Sequence, residues 1–321
     1  MDATVLAEWS RFLVGGAIAA FIVAWLAYCA DAAQRARARR AHAREPVAVG
    51  VADGFSAETT PSGAAESADD QDPGARMAAI GYSVSVLATL LLGAGVVLRA
   101  LSVSRPPWGN MYEFSITASL VASIAFLTMA RTRTGRAVAI WVLLIVFVTL
   151  SLAVTVLYLP PGPLVPALRS YWLVMHVGAA VLAFGLFTVS AIVSGLQIVA
   201  ERAEQRGTVA GFGASLPSSA TLDRLAYRLI AIAFPVWTVG PLILGAIWAE
   251  ASWGRYWGWD PKEVWALVTW LAYAAYLHAR ATAGWRGAKA SAVSLVAYGT
   301  VLFSYFGVNL VFTGLHAYGG L

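Results

Sequence analysis

Long apolar runs alternate with short polar segments along the whole chain. Each run is close to, or longer than, the roughly 20 residues that a helix needs to cross a bilayer. The pattern therefore predicts an all-α integral membrane protein with about eight transmembrane helices. The eight runs lie at residues 11–30, 78–100, 115–131, 137–158, 172–199, 225–248, 262–280 and 290–312.

One polar interruption is much longer than the others. Residues 45–75 are rich in alanine, glycine, serine and acidic side chains and show no helical or strand periodicity, a composition typical of disordered segments. We therefore predict an N-terminal transmembrane helix within residues 1–30, a flexible cytoplasmic linker over 31–77 and a seven-helix domain over 78–321.

The basic residues predict the orientation. A cluster of arginines follows the first apolar run instead of preceding it, as it would in a secretory signal, so we expect an uncleaved helix whose N-terminus lies outside. Threading the eight runs from there places sixteen of the 22 basic residues on the cytoplasmic side and six outside, which is the bias expected of cytoplasmic loops. Both termini, and the loop before the seventh run, are then extracytoplasmic.

Composition narrows the chemistry. Charged residues make up 12% of the chain, about half the share in soluble domains, which is roughly 25%. Cys29 is the single cysteine and lies inside an apolar run, which excludes a paired-thiol redox centre, a cysteine-based zinc site and an internal disulfide. The chain has no glycine-rich phosphate loop, and we expect no nucleic-acid partner.

The stretch WGRYWGWDPKEVWALVTW, residues 253–270, combines five tryptophans with four charged residues. Asp260, Pro261 and Glu263 match the N-cap, N1 and N3 positions of a helix start, so both carboxylates have a structural explanation. An aromatic belt at the membrane interface explains one or two of the indoles. Six within 23 residues instead indicate an apolar platform for a flat ligand; they are Trp248, Trp253, Trp257, Trp259, Trp265 and Trp270.

Three of the four histidines are candidate ligands. His42 lies in the basic cytoplasmic segment and has the character of a solvated residue. His176 and His316 are predicted at the outer face, on the side of the tryptophans, where they fit the axial ligands of a planar metallocofactor. His278 follows Glu263 by 15 residues, about 22 Å along a helix, and an ionisable group at that depth is a functional candidate.

Small residues flank two of these histidines. Ala179, Ala180 and Ala183 follow His176 at helical spacing, and Ala274 and Ala275 precede His278. They either leave room for a macrocycle or serve close helix packing.

Longer motifs resemble a known family. The sequence WGRYWGWDPKEVWALVTWLAYAAYLH resembles the tryptophan-rich WWD signature of haem-handling proteins, and in detail the CcsA/ResC branch of system II cytochrome c biogenesis. RPPWGNMYEFS (105–115), SYWLVMHVG (170–178) and FTGLHAYG (312–319) are similar to other elements of that branch. The resemblance covers about residues 80–321.

The resemblance implies a ligand set. His176 and His316 would ligate haem b at an outer site, and His278 would ligate a second haem inside the membrane, with a further ligand supplied by a ResB/CcsB-type partner subunit. The indoles of Trp253, Trp257 and Trp259 would stack on the haem. Asp260 would start the helix behind them, and the cations expected near the propionates are Arg255, Lys262 and Arg169.

The resemblance also implies a function. The protein would carry haem b across the bacterial plasma membrane and present it to the CxxCH motif of apocytochrome c, with possible haem lyase activity alongside its partner and with thiol-reducing proteins as possible further partners. Three alternatives remain: a haem chaperone that loads a carrier, a proton or solute transporter using Glu113, His278 and Glu263 as a relay, and a purely structural assembly subunit.

Overall fold

The protein is an all-helical bundle. The computed structural model describes residues 2–42, 74–162, 169–207, 212–312 and 314–315, and this part contains no strand. The helices are α1 (Ala3–His42), α2 (Ala75–Val103), α3 (Met111–Met129), α4 (Arg133–Thr155), α5 (Tyr171–Gln205), α6 (Phe212–Ser215), α7 (Ser219–Trp237), α8 (Gly245–Trp253), α9 (Pro261–Thr282), α10 (Ala288–Leu302) and α11 (Val308–Val311).

The predicted membrane fold is confirmed. Within the described residues, seven helical segments are long and apolar enough to cross a membrane, counting α7 with α8 and α10 with α11 as continuous segments. The eighth predicted segment is α9, which is helical over 22 residues, about 33 Å. It falls outside the seven because charged and aromatic side chains replace aliphatic ones along it.

The first helix is longer than its apolar run. The linker was predicted to begin at residue 31, but α1 continues to His42. Asp31 is buried there and pairs with Arg35 one turn later and with Arg136 of α4, and the following alanines and arginines are strong helix formers. The linker was predicted to end at residue 77, but α2 already begins at Ala75. The rest of the predicted linker, residues 43–73, lies outside the described residues.

Within the described residues, two segments of π-helix interrupt the bundle. Thr238–Leu244 joins α7 to α8, and Phe303–Gly307 joins α10 to α11. Pro235 and Pro241 lack the amide hydrogen that a regular helix requires, which accounts for the irregularity of the first segment. Such segments often mark functional sites, and both lie beside the cavity described below.

Successive long helices run antiparallel. The Ser10 hydroxyl at the start of α1 donates to the Gly95 carbonyl near the end of α2. At the opposite end of the bundle, Arg280 of α9 forms a two-bonded ion pair with Asp223 of α7, at 2.7 and 2.8 Å. The end at which α3, α5 and α9 begin carries the tryptophan-rich segment, and we call it the tryptophan-rich end.

Candidate functional site

An aromatic cavity lies at the tryptophan-rich end. It has a volume of about 210 Å³ and is partly open to the outside. Among the residues that line it are Trp108, Asn110 and Phe114 from α3 and the turn before it, His176, Ala180 and Phe184 from α5, and Trp237, Gly245 and Trp248 from the α7–α8 segment. The lining also includes Trp257, Lys262 and Glu263 around the start of α9, Ser304 and Tyr305 from the second π segment, and Asn309 from α11.

His176 is held in one orientation. Its Nδ1 lies 3.1 Å from the carbonyl oxygen of Gly240 in the first π segment. A carbonyl oxygen only accepts, so Nδ1 carries the hydrogen and Nε2 carries the lone pair of the neutral ring. The ring stacks on Trp248, with centroids 5.7 Å apart and planes 6° from parallel. An imidazole fixed by a backbone carbonyl in this way is typical of metal ligands.

Small residues permit this contact. A side-chain carbon added at Gly240 would lie 2.4 Å from the Cβ of Ala179, and one added at Gly245 would lie 3.0 Å from the His176 ring. Of the three alanines that follow His176, Ala179 and the fully buried Ala183 serve helix packing, while Ala180 lines the cavity. Helix packing therefore accounts for Ala179 and Ala183, and room for a macrocycle stays a prediction for Ala180.

The six indoles do not form one flat slab. Trp248 and Trp257 line the cavity. Trp253 packs edge-on against Trp248 with ring centroids 4.7 Å apart, and Trp259 packs edge-on against Trp257 at 5.8 Å. The remaining two, Trp265 and Trp270, contact Phe303 and Phe234 respectively.

Two further cavity tryptophans were missed by the sequence analysis. Trp108 comes from the turn before α3, and Trp237 from the end of α7. Trp237 donates from Nε1 to the Ala266 carbonyl, which fixes its ring beside the cavity. The RPPWGNMYEFS motif was a signal for Trp108, whereas the sequence around Trp237 reads as an ordinary apolar helix.

The predicted start of α9 is confirmed. Asp260 caps the helix and accepts from the Lys262 amide, while Glu263 accepts from the Asp260 amide and completes the capping box. The same Glu263 oxygen accepts from the Gly258 amide at 2.8 Å. Trp259, between these two amides, has a left-handed backbone with φ 58° and an indole that is 71% exposed. Glu263 thus shapes the tryptophan loop as well as the helix.

Asp260 has a second partner near the C-terminus. Its Oδ2 accepts from the amide of Leu315 at 2.7 Å, and a side-chain carbon added at Gly314 would lie 2.5 Å from the same oxygen. Asp260 therefore joins the start of α9 to the residue before His316. His316 itself lies outside the described residues.

Three further predicted site residues, like Trp253, Trp259 and Asp260, do not line this cavity. The side chain of Arg255 is exposed and its guanidinium lies directly over Gly258. Arg169 lines a neighbouring groove, with Arg105 and Tyr171. His278 is an exposed residue of α9, four residues before the helix ends.

A buried ion cluster organises the turn that carries Trp108. The Glu113 carboxylate is fully buried and accepts from Arg99 at 2.9 Å, from Arg105 at 2.7 Å and from the Gly109 amide at 2.8 Å. A buried charge needs such partners. Glu113 is bound by two arginines, Glu263 is engaged in the loop and His278 is exposed. These positions do not favour the transporter alternative, which required the three residues to form a relay.

Comparison with known proteins identifies the family. The chain matches the family described as "Cytochrome C assembly protein" over residues 108–316. It is 36% identical over 262 residues to the cytochrome c biogenesis protein CcsA of Guillardia theta, covering 75% of this chain and 86% of that protein. It is 34% identical over 294 residues to the CcsA protein of Gloeobacter violaceus, covering 75% and 87%.

A solved structure shares the fold. The cytochrome c haem lyase CcmF superposes with a TM-score of 0.59 and 15% identity, over 95% of this chain and 47% of that one, so this chain spans about half its length. The fold and the site define a class of protein: a helical membrane bundle that holds a histidine in an aromatic cavity. The chain belongs to the cytochrome c assembly protein family and is of the CcsA type.

The protein functions in cytochrome c assembly at a membrane, and this function implies that haem and apocytochrome c are involved.

Proposed function

We propose that the aromatic cavity binds haem b as cargo and presents it for covalent attachment to apocytochrome c. The observation that carries this proposal is the position of His176 in the cavity, with Nδ1 bonded to the Gly240 carbonyl and the ring stacked on Trp248. Haem supplies an iron that accepts an imidazole nitrogen and vinyl groups that react with thiols. The chain itself supplies orientation and excludes water.

The polarity of the cavity lining suits a tetrapyrrole. Its walls are mostly aromatic and aliphatic, and the rings of Trp248 and Trp257 offer apolar surfaces to a macrocycle. Few polar groups converge on it, and His176 is the one histidine among the described residues that line it. Sites of this composition, apolar with a few placed polar groups, are typical for cofactors.

His316 is the proposed second ligand of this outer site. The hydrogen bond from the Leu315 amide to Asp260 holds the preceding residue at the start of α9. Lys262 and Glu263, in the first turn of that helix, line the cavity. The short link from Leu315 to His316 therefore supports ligation of the same haem.

His278 is the proposed ligand of a second haem within the membrane. It is exposed on α9, so a ring at this position is accessible from outside the bundle and a ResB/CcsB-type partner could supply the other ligand. We expect His278→Ala to lower the haem that copurifies with the protein and to block cytochrome c maturation. Wild-type haem content in this variant would remove the inner site from the account.

We further propose that the tryptophan-rich end is extracytoplasmic and that the protein resides in a bacterial plasma membrane. The arginine distribution supports this orientation. Reporter fusions after residue 60 and at the C-terminus should then report the inside and the outside, respectively. Fusions that report the same side would exclude this topology.

The attachment reaction needs little chemistry from this chain. The described residues around the cavity include no nucleophile beside a general base, so we assign the protein a templating role in haem lyase activity together with its partner. Thiol-reducing proteins would keep the acceptor cysteines reduced. CcmF, which shares this fold, is named a cytochrome c haem lyase, and that name supports this assignment.

The test is cytochrome c maturation in cells that depend on this protein. His176→Ala should abolish covalent haem attachment, because it removes the proposed iron ligand while leaving a hole at a half-buried position. Imidazole added at millimolar concentration should restore part of the activity. Met175→Ala, a change at the neighbouring exposed residue, is the matched control and should mature cytochromes normally. Full maturation in His176→Ala without imidazole would refute the proposal.

A further inference from the structure

Arginines are concentrated at the end of the bundle opposite the tryptophan-rich end. There the apolar runs of α1 and α3 end and those of α2 and α4 begin. Each of the arginines lies within a few residues of such a boundary. The five that we call the arginine surface are Arg35, Arg76, Arg131, Arg133 and Arg136.

One buried carboxylate lies at the centre of this surface. The Asp31 side chain is fully buried and pairs with Arg35 at 2.7 Å and with Arg136 at 2.6 Å. A side-chain carbon added at Gly74 would overlap Asp31, so the start of α2 lies against the same carboxylate. Arg35 and Arg136 thus share a single negative charge.

The other three arginines have no counter-charge from the protein. Arg76, Arg131 and Arg133 are exposed, and among the described residues none of them forms an ion pair. The Arg131 guanidinium lies 4.5 Å from the ring centroid of Tyr82 in α2, a contact that orients it without neutralising it. Five arginines against the one carboxylate of Asp31 leave four net positive charges on the surface.

The position of the surface matches the depth of lipid headgroups. Outside the hydrocarbon core, each leaflet has a headgroup layer roughly 5–8 Å thick, and residues at the ends of apolar runs lie in it. On α2, the exposed side chains of Ile80 and Leu87 follow Arg76 on the same helical face, at spacings close to whole turns. A phosphate bound at Arg76 would therefore be followed by acyl chains along that face.

We propose that the arginine surface binds the headgroup phosphates of anionic phospholipids. Two other occupants have the right charge. Residues 43–73 of this chain contain seven acidic residues and one arginine, and inorganic phosphate binds guanidinium groups without a membrane. Neither of them offers acyl chains to the exposed apolar face of α2, so the phospholipid is favoured.

The experiment compares phosphatidylglycerol with phosphatidylcholine of identical acyl chains. Their dissociation constants are measured by native mass spectrometry of the full-length protein in detergent. Each cation beside an anionic lipid contributes about fivefold in affinity, so three unpaired arginines should favour phosphatidylglycerol by about 100-fold. Replacing both Arg131→Gln and Arg133→Gln should reduce this preference by about 25-fold and leave the binding of phosphatidylcholine unchanged. Arg131→Lys should retain the preference.

Arg11→Gln is the matched control. Arg11 is also exposed and also lies over a tyrosine, 5.0 Å from the ring centroid of Tyr158. It belongs to the start of α1, at the tryptophan-rich end, so its replacement should not change the preference for phosphatidylglycerol.

Each result supports or overturns the inference, and none of them depends on haem. Equal binding of the two lipids by the wild type would overturn it without any variant, and so would an undiminished preference in the double variant. Displacement of phosphatidylglycerol by millimolar inorganic phosphate would overturn it in favour of a free anion. A preference that appears only after deletion of residues 46–72 would overturn it in favour of the acidic linker.

Discussion

The link between Asp260 and the C-terminal segment gives a sharp prediction. One carboxylate oxygen accepts from the Lys262 amide at 3.1 Å and caps α9, while the other accepts from the Leu315 amide at 2.7 Å. In Asp260→Asn, one of these oxygens becomes an NH₂ group that cannot accept. Asparagine is as good an N-cap as aspartate, so the helix start should persist and the bond to Leu315 should be lost.

The magnitudes follow from the two contacts. A hydrogen bond to a charged group contributes about 1.5–3 kcal/mol, and an N-cap about 1 kcal/mol. Asp260→Asn forfeits the first contribution, and Asp260→Ala forfeits both. Gly314→Ala should reproduce the asparagine variant from the other side, since the added carbon would lie 2.5 Å from the Asp260 oxygen.

The assay combines thermal unfolding in detergent with the absorption spectrum of bound haem. We expect Asp260→Asn and Gly314→Ala to remain folded but to lose the second axial ligand, because the segment that ends at His316 is no longer held. Asp260→Ala should in addition unfold at a lower temperature. Unchanged axial ligation in both Asp260→Asn and Gly314→Ala would show that this link does not position a haem ligand.

Two other predictions concern residues that support the cavity. Gly240→Ala should separate the first π segment from α5 and weaken haem binding at His176, and overpacking should lower the free energy of unfolding by about 1–3 kcal/mol. Haem titration and unfolding measurements check both effects. The control is Gly299→Ala, where an added side-chain carbon meets nothing within 4 Å, and it should change neither property. Glu113→Gln should lower the free energy of unfolding by about 3–5 kcal/mol, because it leaves Arg99 buried without its counter-charge; denaturation that matches the wild type would contradict this.

The sequence carried enough local information for the helices and for one loop boundary. Apolar runs locate helices because every backbone polar group in a membrane must be bonded within its own segment. The helix start at Asp260 was predictable because a capping box is formed by four consecutive residues. The extension of α1 was not, because it depends on Asp31 meeting Arg136, 105 positions later.

The arrangement of the site was less predictable because it depends on contacts between distant residues. The density of tryptophans indicated an aromatic site but not which rings line it. Trp253 and Trp259 pack edge-on against Trp248 and Trp257, which are the rings that line the cavity. The partner of His176 is a backbone carbonyl in a π segment, and no side-chain pattern signals it. Trp237 reaches the cavity through packing that only the folded chain defines.

The absorption spectrum of the purified protein with bound haem tests the central claim most directly, namely that His176 ligates haem in the aromatic cavity. The wild type should give a Soret band and, on reduction, split alpha and beta bands from an imidazole-ligated iron. His176→Ala should lose this signature at the outer site, and added imidazole should restore it, while Met175→Ala should match the wild type. An identical spectrum in His176→Ala without imidazole would contradict the claim.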